Sequence, residues 1–246
     1  MPRLGFLLLI AMLPISASAW TPAAESRIAT KSAALAPPDL RMLIEKFDAE
    51  YRRGLAQAAA EPETDAHRYV VASRRGALRD RIEHETRETI AMIRRGDSMP
   101  NVVNRLGGLV HLMADANNPF HAATGDARLA RLQEDYEAYL ERRLSKFPTV
   151  FYGLNSKFHL RSYLDRTLAR SARFYPLVGE EYYRGGRRRS STEFDDRSTA
   201  FGIASISYSR SVSDVVNLYY YIWKEAGGDV RSAAVMRDGN LLLNAH

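Results

Sequence analysis

The chain has 246 residues, 46% of them hydrophobic, with 35 Lys and Arg against 29 Asp and Glu, a formal net charge of +6 and no cysteine. That apolar fraction supports one core in one large domain, and the lack of cysteine excludes a disulfide framework, leaving other interactions to hold the fold. The basic surplus either keeps the surface solvated or favours anionic partners such as phosphodiesters and acidic membrane surfaces.

The first segment is read as a processing signal. Arg3 gives a positive flank, Leu4 to Leu13 form an apolar run, and Ala17-Ser18-Ala19 is a small-residue cleavage pattern. The run is shorter than the ~20 residues that span a bilayer. Residues 1–19 are therefore expected to be a signal peptide, with a secreted or periplasmic chain beginning at Trp20 and one domain over 20–246. A monomer is expected.

Helical periodicity dominates the chain beyond Trp20. Leu40, Leu43, Ile44, Phe47, Tyr51 and Leu55 recur at three- and four-residue steps after Pro37-Pro38, which suits a helix start. A second helix is predicted over Gly76–Arg95, ending near Gly96, and a third over Val102–Ala116, stopping before Asn117-Asn118-Pro119. A fourth is predicted over Arg128–Lys146 and a fifth over Lys157–Arg173. Gly185 to Ser198, with Arg187-Arg188-Arg189, is expected to be an exposed loop, since clustered like charges resist burial. The last helix carries a stripe from Phe201 to Trp223 and closes at Gly227-Gly228. No alternating strand pattern or internal repeat is evident, so the predicted fold class is all-α, a single-domain multi-helix globule.

The chemistry concentrates in His111-Leu-Met-Ala-Asp115-Ala-Asn-Asn-Pro119-Phe-His121. Residues four apart share a helix face, so His111 and Asp115 can converge on one ion, and Pro119 turns the chain so that His121 can approach. Imidazole and carboxylate are both zinc ligands. An i,i+4 His/Asp pair alone is more often a salt bridge; the third ligand behind a proline makes a metal site the better reading. His84, among Glu83, Glu85 and Arg87, is expected on a solvated face. His159 has no acidic partner four residues away, and His246 ends the chain; none of the three is expected to bind metal.

This string, with Trp20 as the first mature residue, resembles the superfamily of bacterial zinc-dependent phospholipases C and single-strand-preferring nucleases, all-α exported enzymes with clustered zinc ions. The segment AFGIASISYSRSVSDVVNLYYYIWKEAG is similar to their closing helix. The resemblance implies one zinc on His67, His111 and Asp115, a second on His121 and Glu137, and a third on the amine of Trp20, Asp115 and Glu25, giving one to three Zn2+. The chain departs from the pattern at Gln133 and Glu25, where histidines are expected. It also lacks a clear counterpart of an upstream aspartate, for which Asp48, Glu50, Glu61, Glu63 and Asp65 are the nearby acids.

The implied activity is hydrolysis of a phosphodiester by zinc-activated water, with a phospholipid head group or single-stranded nucleic acid as substrate and an anionic membrane as a peripheral partner. The cysteine-free composition resembles the lipid-cleaving members more than the cystine-containing nucleases. A degenerate zinc-binding relative without turnover is the alternative.

Overall fold

The computed structural model describes residues 20–123, 131–230 and 242–243. The segment 1–19 expected to be a signal peptide, the predicted helix start at 128–130 and His246 lie outside the described residues. Among the described residues the architecture is helical throughout, as the periodicity implies, with one two-residue strand pair: Thr149–Val150 runs antiparallel to Leu242–Leu243.

The chain enters through α1 (Pro22–Ala34), a helix the apolar stripes do not reveal. Thr21 starts it: its hydroxyl accepts from the amide of Ala24, and Pro22 takes the first-turn position where no amide is needed. The stripe from Leu40 to Leu55, expected as one helix, is two, α2 (Pro38–Lys46) and α3 (Asp48–Ala59). Phe47, at φ −116 and ψ 38, breaks it. The acids Asp48 and Glu50 open the new helix, where the N-terminal dipole favours negative charge. The break keeps the apolar positions in phase, which is why spacing alone does not detect it.

Next come α4 (Leu78–Arg95) and α5 (Met99–Asn117). α4 ends as expected at Gly96, whose φ of 73 lies in the left-handed region that glycine adopts without penalty. α5 is the central element, packed by α1, α3, α4 and two long helices further along the chain. Every residue from Leu109 to Asn117 is buried, so its polar residues there face other helices rather than water.

The α3–α5 seam is built on glycine. A β-carbon on Gly54 would stand 1.8 Å from the carbonyl oxygen of Asn104, and one on Gly107 would stand 2.0 Å from that of Tyr51. The two backbones therefore touch, which draws the end of α3 and the acidic segment beyond it against α5.

α5 runs one residue past the predicted stop, to Asn117, and Pro119 opens the short helix α6 (Pro119–Ala122). After it come α7 (Gln133–Arg143), α8 (Leu160–Tyr182) and α9 (Thr199–Glu225). α8 extends nine residues beyond Arg173 and carries Pro176 inside it. A proline there costs a backbone hydrogen bond, but buried Tyr175, Val178, Gly179 and Tyr182 hold the extra turns in the core.

The segment 185–198 is only partly an exposed loop. Arg187 and Arg188 are exposed, whereas Arg189 donates to buried Glu181 at 2.8 Å, and Ser191 and Phe194 are buried. Pairing with a buried carboxylate is what admits a member of the basic run. No helix among the described residues is long and apolar enough to cross a membrane.

Candidate metal centre

The site is assembled on the buried end of α5. His111 and Asp115 share a face one turn apart, with His111 Nε2 3.3 Å from Asp115 Oδ2. His67 arrives from a short turn, Asp65–His67, that Thr64 caps. The strand-like segment after it is tied to α6, since Tyr69 and Val71 donate their amides to the carbonyls of His121 and Ala122. These bonds place His67 Nδ1 2.9 Å from Asp115 Oδ2 and 3.2 Å from His111 Nε2. All three side chains are buried, and their ligand atoms lie within 4.8 Å of one another.

Asn118 and Pro119 explain the position of His121. Asn118 leaves helical geometry ahead of the proline, and its side chain accepts from the amide of Phe120 at 2.9 Å. His121 then donates from Nδ1 to the carbonyl of His67 at 2.8 Å. That bond fixes the tautomer and leaves Nε2 as the nitrogen with a lone pair. His111 is oriented in the same manner: Nδ1 bonds Glu25 Oε1 at 2.7 Å, and Nε2 turns to Asp115 and His67.

Asp115 Oδ1 is buried without a hydrogen-bond partner. An orphaned carboxylate oxygen inside a protein asks for a reason; His121 Nδ1 stands 3.8 Å from it, while Oδ2 of the same carboxylate faces His67 and His111. A cavity of about 10 Å³, the size of a single small occupant, is lined by Glu61, Glu63, His67, His111, Asp115 and His121. Nitrogen and oxygen donors of this kind, held by groups behind them, match what zinc takes. The residues present therefore fit a metal ion.

Without an ion the cluster is held by protons, and a bound metal would have to displace them. Burial works against a charge on His111, but Asp115 and Glu25 outweigh it and hold the imidazole up to about 9. Burial works against the charged form of Asp115 too, yet His111, His121 and His67 keep its carboxyl below the usual range. His121 is pushed down, chiefly by desolvation.

His67, His111 and Asp115 form one group, and the other residues expected to bind metal lie around it in different relations. Trp20 is buried and its indole donates to the carbonyl of Ala114 at 3.0 Å, next to Asp115. Glu25, on α1, contacts the ring nitrogen of His111 that points away from Asp115. His121 and Glu137 are joined through Gln133, whose amide nitrogen lies 3.4 Å from His121 Nε2 and 2.9 Å from Glu137 Oε1. Burial pushes the Glu137 carboxyl up to about 7, partly offset by the Gln133 bond. Arg68 completes this side, donating to Gln133 Oε1 at 3.0 Å and pairing with Glu63.

Four participants were not singled out by spacing. Glu61 and Glu63 line the cavity, Arg68 bridges Glu63 and Gln133, and Arg81 stands 3.1 Å from His67 Nε2 while bonding Glu61 at 2.7 Å. The two acids lie in a non-periodic stretch after α3, where proximity to His67 was the only signal. His84 and His159 are exposed.

Fold and site together define an all-α protein with a buried His–His–Asp group suited to a metal ion. No protein-family model matches the chain, and no curated protein matches its sequence. Solved structures do. The alpha-toxin of Clostridium perfringens from avian strain SWCP superposes with a TM-score of 0.64 at 12% identity, over 88% of this chain and 67% of that one. The alpha toxin of Clostridium absonum gives 0.61 at 16% identity, over 85% of this chain and 64% of that one. The chain thus shares the fold of the clostridial alpha-toxins and spans about two thirds of their length.

Proposed function

We propose that this protein is an exported zinc-dependent phosphodiester hydrolase of the phospholipase C type. The observation that carries the reading is the convergence of His67, His111 and Asp115 in one buried group, on the string HLMADANNPFH that resembles that superfamily. The fold shared with the alpha-toxins supports it.

His67, His111 and Asp115 would hold the principal ion, and Asp115 supplies the negative charge that balances it. Zinc, when bound, lowers the pKa of water and polarises the phosphoryl oxygens. The protein's own part is orientation and proton handling. Glu25 and the His67 carbonyl keep His111 and His121 aimed inward. The carboxylates of Glu61 and Glu63 at the cavity wall are the acceptors for a proton from water. Trp20 and Glu25, and His121 with Glu137, are the candidates for further ions. Residues 1–19 would be removed on export, freeing the amine of Trp20, whose indole donates to the carbonyl of Ala114.

A relative that keeps one ion and has lost turnover is favoured by a specific contact: Arg68 and Gln133 fill the side where His121 and Glu137 face each other. One experiment separates the readings. The chain from Trp20 is produced, its zinc counted by elemental analysis, and its hydrolysis measured on a soluble phosphodiester, phosphatidylcholine and single-stranded DNA. Bound zinc with cleavage of phosphatidylcholine is expected. Cleavage of DNA alone would assign a nuclease, and zinc without cleavage the degenerate relative. No bound zinc would sink the proposal.

A further inference from the structure

A second polar cavity lies away from the metal centre, between α8, α9 and the segment 152–155. It measures about 440 Å³, and its wall carries four arginines, Arg166, Arg170, Arg173 and Arg210, against one acid, Asp214.

That acid is fully engaged. Buried Asp214 accepts from Arg170 at 2.7 Å, Tyr163 at 2.6 Å, Asn117 at 3.0 Å and Thr167 at 3.2 Å. Arg170 uses Nη2 alone for Asp214 and Asn117. Among the described residues, the other three arginines have no carboxylate partner. Arg166, Arg170 and Arg173 succeed one another on adjacent turns of α8, a spacing at which like charges repel.

Arg210 is the sharpest indication. Its guanidinium lies 3.6 Å from the centroid of the Tyr152 ring, and its Nε is buried with no hydrogen-bond partner. Tyr152 is itself pinned, its amide donating to Ser213 Oγ at 3.0 Å. An arginine with no carboxylate partner, beside three others, carries an uncompensated charge, and the ligand that compensates it is an oxyanion, which arginine binds through paired, charge-assisted hydrogen bonds.

The cavity is also separate from the metal centre. Asn117, which joins the Asp214 network, is two residues beyond Asp115 on α5, and residues two apart on a helix point to nearly opposite sides.

We propose that this cleft binds a phosphate-type oxyanion, free or carried by a lipid head group. The proposal stands independently of the zinc reading, because none of its residues belongs to the His–His–Asp group.

The test is calorimetric titration of the full chain with inorganic phosphate at low ionic strength. Wild type is compared with Arg210→Gln and with the double variant Arg166→Gln/Arg173→Gln, whose exposed positions leave the packing intact. Saturable binding is expected, weakened about tenfold or more in each variant. No saturable binding, or unchanged affinity in the double variant, would overturn the proposal; so would unchanged affinity in a folded Arg210→Gln.

Co-sedimentation with phosphatidylcholine vesicles, with and without phosphatidic acid, then identifies the source. Arginine-dependent binding to the acidic vesicles assigns a lipid head group. Binding of free phosphate alone assigns a soluble anion.

Discussion

Replacing Asp115 by Asn keeps the size of the side chain but removes the only carboxylate in the His–His–Asp group. Its Oδ2 lies 2.9 Å from His67 Nδ1 and 3.3 Å from His111 Nε2, and Oδ1 is buried without a hydrogen bond. If the group holds zinc, the change removes its buried anionic ligand. Changing a residue that merely orients a zinc ligand costs about 10- to 100-fold in affinity, so losing the carboxylate itself should cost about 100-fold or more. That corresponds to about 2.7 kcal/mol.

Zinc at a free concentration of about 1,000 times Kd stabilises the folded chain by about 4.1 kcal/mol. For a chain of this size each kcal/mol moves Tm by about 2–4 °C. Wild type should therefore gain about 8–16 °C on zinc addition, and Asp115→Asn should lose about 5–11 °C of that gain. The assay is thermal unfolding with and without zinc. The relevant quantity is the zinc-dependent increment, because the metal-free variant also loses ion pairs and melts lower. An increment in Asp115→Asn equal to that of wild type would refute the assignment of this group as the metal centre.

Three further outcomes are expected from particular contacts. Gln133→His places an imidazole between His121 and Glu137, so elemental analysis should show one more zinc per chain; an unchanged count would mean that Arg68 keeps that place. Gly107→Ala drives a β-carbon to 2.0 Å from the Tyr51 carbonyl and should cost about 1–3 kcal/mol or more. The control Gly202→Ala, on α9 with nothing within 4 Å, should hold or raise Tm, and equal melting of the two variants would contradict the backbone contact. Asp214→Asn leaves Arg170 without its buried carboxylate and should destabilise by about 3 kcal/mol in urea unfolding, whereas a loss under ~0.5 kcal/mol would show that the network carries little stability.

The fold class and the pairing of His111 with Asp115 were legible in the sequence, because both rest on short-range regularities. Apolar residues at helical steps mark every long helix after Pro37, and a His and an Asp four apart must share a face wherever the helix lies. Pro119 likewise forces a turn that is local in origin. α1 escaped because its buried face mixes Ala24, Glu25, Ala29 and Ser32 with a single large apolar residue, Ile28. The break at Phe47 escaped because the stripe stays in phase across it.

Only the tertiary structure decided which distant residues meet α5. The backbone contacts at Gly54 and Gly107 bring α3 and the acids beyond it close, so Glu61 and Glu63 reach the cavity while Asp48 and Glu50 remain near the far end of α3. It also decided that Glu25 faces the outer nitrogen of His111, that Arg68 sits between Glu63 and Gln133, and that four arginines from two helices line one cleft. These are contacts between segments tens of residues apart. They depend on how helices pack and on which ring nitrogen a hydrogen bond leaves free, and neither is encoded in a local pattern.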